Sequence, residues 1–348
     1  MKSSKQMMKA IGLYKYLPID NPESLIDVEI EKPQLPSNRD LLVQVKAISV
    51  NPVDTKIRAP KDKVEEAPRI LGWDVAGIVE RVGPDCTLFQ PGDEVYYAGS
   101  VIRPGGNSEF HLVDERIVGH KPKSLSFAEA AALPLTTITA WEALYDRLNI
   151  SHHPDGNEEK SILIIGAAGG VGSIAIQLAG MAGLNIIATA SRPESIEWVK
   201  QLGADYVINH HEPFMPQLKK RGIEQVDYIF CLNNTAQHWS HMAEAIAPQG
   251  KICSIVGMGE PVNLQPLFGK SATFVWEYMF TRAMYKTDDM EEQHKLLERV
   301  AKMVDAGKIR TTLVECIEPI NAENLRLVHQ KLESGHTIGK IVLQNFPE

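Results

Sequence analysis

The stretch Ser161-Ile-Leu-Ile-Ile-Gly-Ala-Ala-Gly-Gly-Val-Gly172 decides how this chain folds. A short apolar run ends in a glycine cluster, and a helix-like pattern follows at once. That order is a β-strand turning tightly into a helix N-terminus. The first N–H groups of such a helix have no partner inside it, and they attract phosphate. The stretch therefore points to a dinucleotide cofactor. The fingerprint G-x-G-x-x-G falls here on Ala167, Gly169 and Gly172. Gly169 lets the backbone approach a pyrophosphate, and Gly172 lets the helix pack on the strand. Ala167 departs from the pattern. Gly166 and Gly170 add local freedom, and Val171 lies inside the first helical turn.

Downstream, strand patterns near 161–166, 185–190, 205–209, 226–232 and 251–257 alternate with helical ones. Residues 171–182 carry Ile174, Ile176, Leu178 and Met181 as apolar positions, and Pro193 stands where a helix begins after Ser191. The order predicts an α/β Rossmann fold, a doubly wound parallel sheet with helices on both faces. An acidic residue at the end of the second strand grips the ribose 2′-OH of NAD. This chain has Ser191-Arg192 there and no carboxylate. A hydroxyl and a guanidinium suit a 2′-phosphate, so the expected cofactor is NADP(H). Asn233 closes the fourth strand, and Val256-Gly257-Met258 closes the fifth. Ligands bind at that end of such sheets.

Upstream, residues 10–120 read as short strands and turns. Runs at 41–50, 75–82 and 94–97 are separated by Gly83-Pro84 and Pro91-Gly92-Asp93. This punctuation predicts a compact β-barrel-like domain. Ser126-Phe-Ala-Glu129 fits a capping box. Residues 136–148 read as a helix, and 151–160 as a polar loop. Past residue 275 the alternation weakens. A periodic helix at 290–306, a strand at 311–316, a helix at 322–333 and a last strand at 338–343 follow.

Composition narrows the function classes. The chain has 348 residues, enough for two domains, with 44% apolar and 23% charged. No apolar run is long enough to cross a bilayer. The first nine residues lack the apolar core of a signal peptide, so a cytoplasmic location is expected. A net charge of -8 argues against nucleic-acid binding. Cys86, Cys231, Cys253 and Cys316 form no C-x-x-C pair, and Cys231 and Cys253 read as small buried apolar residues. The adjacent pairs His152-His153 and His210-His211 do not converge as helix-spaced ligands do, and read as incidental surface histidines.

Six blocks carry a family resemblance. They are Asn51-Pro-Val-Asp54, Leu71-Gly-Trp-Asp-Val-Ala-Gly-Ile-Val79, Leu133-Pro-Leu-Thr-Thr-Ile-Thr-Ala140, Ala167-Ala-Gly-Gly-Val-Gly172, Leu202-Gly-Ala-Asp205 and Gly339-Lys-Ile-Val-Leu343. Over nearly its whole length the chain resembles the medium-chain dehydrogenase/reductase superfamily, in its quinone oxidoreductase-like, zinc-type alcohol dehydrogenase-like branch. The resemblance implies a GroES-like β-barrel catalytic domain made of residues 1–130 and 280–348. It implies a Rossmann NADP-binding domain at 131–279, an active-site cleft between the two, and a homodimer or homotetramer pairing through the Rossmann domain.

Zinc members of the superfamily hold a catalytic ion with Cys, His and Cys. The first position corresponds to the start of the Asn51 block. The Gly-His-Glu element reads Gly72-Trp73-Asp74, and the block around Leu133-Pro134-Leu135 has no cysteine. Asn and Trp cannot replace thiolate or imidazole ligands. The four-cysteine lobe of a structural zinc is also missing between Asp93 and Asp114. No metal is expected.

By the same resemblance, Asn51 and Asp54 lie at the floor of the nicotinamide cleft. Asn51 is the candidate donor to a substrate oxygen, and Asp54 the brace of its loop and of Lys56. Thr137 approaches the nicotinamide or the phosphates. Val256, Gly257 and Met258 line the nicotinamide ribose and carboxamide. Lys340 is either a phosphate contact or a surface lysine. Trp73 is either a packed aromatic or an apolar wall for a flat substrate. Tyr96 and Lys56 are candidate proton donors, with solvent as the alternative. Without a metal to polarise a carbonyl, quinones and α,β-unsaturated carbonyls are the expected small-molecule acceptors. A zinc-dependent alcohol dehydrogenase and a non-catalytic NADPH-binding sensor or structural protein stay open as alternatives.

Overall fold

The computed structural model describes residues 6–34 and 38–347. The first five residues of the polar N-terminus lie outside the described residues. The chain divides into two compact units, Met1–Leu135 with Phe280–Glu348, and Thr136–Met279. The sequence reading put the first crossing near 130. The chain instead crosses inside the helix Pro134–Trp141.

The first unit is built mostly of antiparallel β-structure, with Leu313–Ile317 running parallel to Lys340–Gln344. A seven-stranded sheet runs in the order Leu313–Ile317, Lys340–Gln344, Asp40–Ser49, Val75–Val82, Glu94–Tyr97 and Val118–His120, with Phe110–Asp114 pairing on Asp40–Ser49. A three-stranded sheet places Met7–Tyr16 between Ile26–Glu31 and Lys61–Ile70. Strand Asp40–Ser49 has the β-branched, apolar character of a buried strand, and most of it is buried. One pairing matters for the site. Strand Lys340–Gln344 runs antiparallel to Asp40–Ser49 with Val342 opposite Ser49, which brings Lys340 level with Asn51.

The second unit is a six-stranded parallel sheet. We label its strands β1 (Ser161–Ile165), β2 (Asn185–Thr189), β3 (Tyr206–Ile208), β4 (Val226–Cys231), β5 (Ile246–Ser254) and β6 (Thr273–Trp276). Their order is β3-β2-β1-β4-β5-β6, the doubly wound Rossmann order. Ile162, Leu163, Ile164 and Ile165 are all fully buried, as expected where helices cover both faces of a parallel sheet. Helices Gly170–Met181 and Pro193–Leu202 connect the first three strands. The second begins with Pro193 at its first position.

Two features depart from the sequence reading. The helix expected over 136–148 is α-helical only from Pro134 to Trp141, and then widens into a π-helical turn, Glu142–Arg147. Edge strand β6 lies where no strand was expected. Its four residues carry no alternation long enough to be read. The capping box at Ser126 and Glu129 forms as expected. No helix among the described residues is long and apolar enough to cross a membrane.

Candidate functional site

In the second unit, the glycine turn has the geometry of an anion cradle. β1 ends at Ile165, and helix Gly170–Met181 begins after Gly169 as its N-cap. The left-handed residue of the turn is Gly166, at φ 81°. This explains why Ala167 is tolerated at the first fingerprint position: the strained conformation falls one residue earlier. A Cβ on Gly172 would lie 2.3 Å from the carbonyl oxygen of Ala167, so only glycine lets the helix sit this close. The N–H groups of Gly170, Val171 and Gly172 occupy the first helical turn, where no acceptor exists inside the helix.

The other expected cofactor residues surround the carboxyl ends of the strands. Thr189 closes β2, and its Oγ1 accepts the Gly166 N–H at 3.0 Å. Ser191 and Arg192 follow, both partly exposed, with Arg192 as N-cap of the next helix. Asn233 is exposed after β4, and its side chain faces the Cα of Gly166. The Val256 carbonyl accepts the Thr235 hydroxyl at 2.6 Å, and Gly257 is exposed. Met258 is partly buried and packs against the apolar core of the second unit. Thr137 is fully buried, and its Oγ1 has no hydrogen-bond partner among the described residues. A buried hydroxyl without a partner is costly unless a ligand supplies one. An open first turn, a hydroxyl with a guanidinium beyond β2, and an orphaned threonine together fit a dinucleotide.

In the first unit, four of the six blocks converge on one buried hub. The Lys340 ammonium is bonded to Asn51 Oδ1, to the Val50 carbonyl at 2.9 Å and to Asp74 Oδ2 at 3.1 Å. Asn51 Nδ2 donates to Asp74 Oδ2 at 2.8 Å. Asp74 Oδ1 accepts the Leu135 N–H at 2.7 Å. Asp54 Oδ2 accepts the Asn51 N–H at 2.8 Å. Asp54 also accepts the Gly72 N–H. Asn51 and Asp54 are each 1% exposed, Asp74 is fully buried, and Lys340 is 4% exposed. Burial pushes the Asp54 carboxyl up to about 7, against the pull of the Asn51 N–H and Lys340. Burial also raises Asp74, opposed by Lys340, Asn51 and Leu135.

The hub revises several expectations. Lys340 is not a surface lysine; its ammonium is bonded inside the fold. Asn51 uses both ends of its amide within the hub and presents neither to solvent. Asp54 braces Asn51 and Gly72 rather than Lys56, which is exposed on helix Pro52–Arg58. Lys56 lines a cavity of about 450 Å³ with Pro18, Asp20 and Glu333. Trp73 is the packed aromatic: it is 1% exposed, donates from Nε1 to the Ser100 carbonyl at 3.2 Å, and meets Phe280 edge-on. Tyr96 is no proton donor near neutral pH. Its hydroxyl is buried, donates to the Leu297 carbonyl at 2.6 Å, and is pushed well above its usual range by burial.

A zinc ion does not fit this hub. The oxygens of Asn51 and Asp74 already share a cation, the ammonium of Lys340, and the Trp73 indole offers no ligand. Among the described residues, no three His, Cys, Asp or Glu side chains are placed to hold a metal ion. All four cysteines are free, with Cys231 and Cys253 buried. Of the paired histidines, His152, His153 and His211 are exposed as expected, and His210 is partly buried. His152 stacks on Tyr145 at 3.8 Å, and the buried Nδ1 of His210 has no partner.

The second unit holds a polar cluster that the sequence did not suggest. Glu142, on the π-helical turn, and Glu277, just past β6, are 1% and 2% exposed. Glu277 Oε2 accepts from Arg147 Nε at 2.8 Å. Burial, then the neighbouring Glu142, hold the Glu277 carboxyl far above the usual carboxylate range.

Comparison with known proteins settles the family. The alcohol dehydrogenase GroES-like domain matches residues 37–140, and the zinc-binding dehydrogenase family matches residues 170–299. The chain is 47% identical over 336 residues to a zinc-type alcohol dehydrogenase-like protein of Staphylococcus aureus (strain MSSA476), covering 97% of this chain and 99% of that one. The chain belongs to the medium-chain dehydrogenase/reductase superfamily. Among solved structures of the superfamily, one assigned as a zinc-dependent alcohol dehydrogenase from Rhizobium etli CFN 42 has a TM-score of 0.93 at 49% identity, covering 99% of this chain and all of that one. The quinone oxidoreductase from Coxiella burnetii gives a TM-score of 0.81 at 26% identity, covering 98% of this chain and all of that one. The chain is therefore an oxidoreductase with the GroES-like and Rossmann architecture of this superfamily, whose members bind NAD(P)(H).

Proposed function

We propose that this oxidoreductase uses NADPH to reduce quinones or α,β-unsaturated carbonyls and needs no metal. One observation carries the reading. Asn51, which by resemblance stands at the first zinc-ligand position, is bonded instead to the ammonium of Lys340 and to Asp74. An enclosed ammonium cannot bind and polarise a simple carbonyl as a Lewis acid does. Quinones and conjugated carbonyls need less help, because the arriving charge delocalises. When bound, a reduced nicotinamide supplies the hydride.

The chain's own residues supply position and charge. The N–H groups of Gly170, Val171 and Gly172 cradle the pyrophosphate, with Gly169 leaving room for it. Ser191 and Arg192 select the 2′-phosphate, and the Thr137 hydroxyl donates to the bound nucleotide. The Coxiella likeness supports the acceptor class. Small-molecule substrate, a cytoplasmic location and a homodimer or homotetramer complete the reading.

The test is NADPH and NADH consumption against a panel of quinones, enones and primary alcohols, with wild type and Arg192→Ala. The reading expects turnover on quinones or enones and none on alcohols. Arg192→Ala should weaken NADPH by roughly ten- to a hundredfold, the worth of a charge-assisted bond, and leave NADH unchanged. Equal losses for both cofactors reject the role of Arg192. Turnover confined to alcohols rejects the substrate class.

A further inference from the structure

The hub of the first unit has an unbalanced charge count. Two carboxyl groups, Asp54 and Asp74, share one ammonium, Lys340, and none of the three is more than 4% exposed. The charged groups that face Asp54 are Lys340 and Asp74. The charged group that faces Asp74 most strongly is Lys340. With both carboxyls ionised, the hub carries an uncompensated negative charge away from water, a state that buried sites avoid by binding a proton.

Geometry decides which carboxyl keeps it. Asp74 receives three donors: Lys340 Nζ at 3.1 Å, Asn51 Nδ2 at 2.8 Å and Leu135 N–H at 2.7 Å. Asp54 receives only the backbone N–H groups of Asn51 and Gly72. Donors stabilise the charged form, and a formal cation does so most. Asp74 therefore carries the charge, and Asp54 the proton.

We infer that Asp54 is an ionisable positioning residue whose proton keeps the hub neutral and so governs the pH dependence of this oxidoreductase. Protonated Asp54 leaves Lys340 between Asn51 and Asp74, and the four segments at Asn51, Gly72, Leu135 and Lys340 stay clasped. Ionised Asp54 competes with Asn51 Oδ1 for the ammonium and loosens the clasp. The proton passes to solvent, and no bond to substrate is involved. Asp54 acts through Asn51 and Lys340. Only the kinetic consequence rests on the proposed oxidoreductase function.

The direct test is infrared difference spectroscopy of the whole protein, with and without isotope-labelled aspartate, titrated across the neutral range. The expected result is an aspartate carboxyl band present below about 7 and lost above it. The charge count also fixes the behaviour of three variants. Asp54→Asn removes the band. Asp74→Asn restores a one-to-one balance and moves the transition to lower pH. Lys340→Met removes the cation and moves it to higher pH. A wild-type spectrum without the band overturns the inference, and needs no variant to fold. A band that persists in Asp54→Asn, or does not move in Asp74→Asn, overturns it as well.

The kinetic arm reads kcat/KM against pH. In wild type it falls by up to tenfold per pH unit above the transition. In Asp54→Asn it is flat over the same range, a change that a merely structural role does not produce. An unchanged profile in Asp54→Asn overturns the positioning role. Absence of turnover on any acceptor rejects the proposed function and leaves the infrared result standing on its own.

Discussion

Each unit of this protein buries two carboxyl groups beside one cation, and the two clusters handle the same inventory differently. In the first unit Lys340 is inserted into the hub, bonded to Asp74 and Asn51, while Asp54 is held apart by backbone donors. In the second unit Glu142 and Glu277 are buried as neighbours, and Arg147, 32% exposed, bonds Glu277 from the periphery. Burial pushes Asp54 up, and the Asn51 N–H together with the inserted cation offset part of that cost, so its carboxyl reaches about 7. The peripheral one offsets less, and Glu277 holds its proton into the alkaline range. Arrangement, rather than composition, sets how tightly a buried acid keeps its proton.

The largest expected effect comes from removing each cation. Lys340→Met leaves the hub with no internal positive charge and should cost about 3–5 kcal/mol, the usual penalty for breaking a buried pair. Arg147→Met should cost less, about 1–3 kcal/mol, because its partner pair still shares a proton. Denaturant unfolding at neutral pH measures both. Equal costs would erase the distinction between inserted and peripheral cations.

The next effect is the pH dependence of stability. Both acids have folded values above their unfolded ones, so the folded state binds more protons and stability falls as pH rises. For Asp54 the loss runs from the ordinary carboxylate value near 3.8 to about 7, and then stops. For Glu277 it starts near 4.5 and continues beyond neutrality. Relative to wild type, Asp54→Asn should therefore gain stability with rising pH up to about 7 and no further. Glu277→Gln should go on gaining into alkaline solution. Denaturation midpoints over a pH series test this. Two curves that level off together would contradict the comparison.

The smallest effect sharpens the boundary of the hub. Trp73 sits between Gly72 and Asp74 in sequence, yet its indole bonds only the Ser100 carbonyl. Trp73→Phe should cost about 1 kcal/mol for that bond and leave the pH dependence unchanged. A shifted pH transition would extend the hub to its neighbour.

The two clusters also differ in how far the sequence disclosed them. Asn51, Asp54, Asp74 and Lys340 all lie in blocks that stand out on the page. Their roles did not, because a lysine in a terminal strand reads the same whether it faces water or a buried carboxylate. The pairing of Val342 with Ser49, which settles the matter, depends on the register of strands nearly 300 residues apart. Glu142 and Glu277 gave no signal at all. One lies on a helical stretch whose widening into a π-turn has no spacing signature, and the other follows a short edge strand. The Rossmann unit was the most legible, since alternating apolar runs and a glycine turn are local patterns. Even there, the turn uses Gly166 rather than residue 167 for its left-handed step.

At the centre of the first unit's hub a side-chain ammonium, and not a metal ion, supplies the positive charge. The most direct measurement is turnover of NADPH with a quinone by protein stripped with a strong chelator, assayed before and after adding zinc. The account predicts undiminished activity in the stripped protein, substoichiometric zinc by elemental analysis, and no gain on adding the ion. Activity lost on stripping and restored by one equivalent of zinc would contradict it.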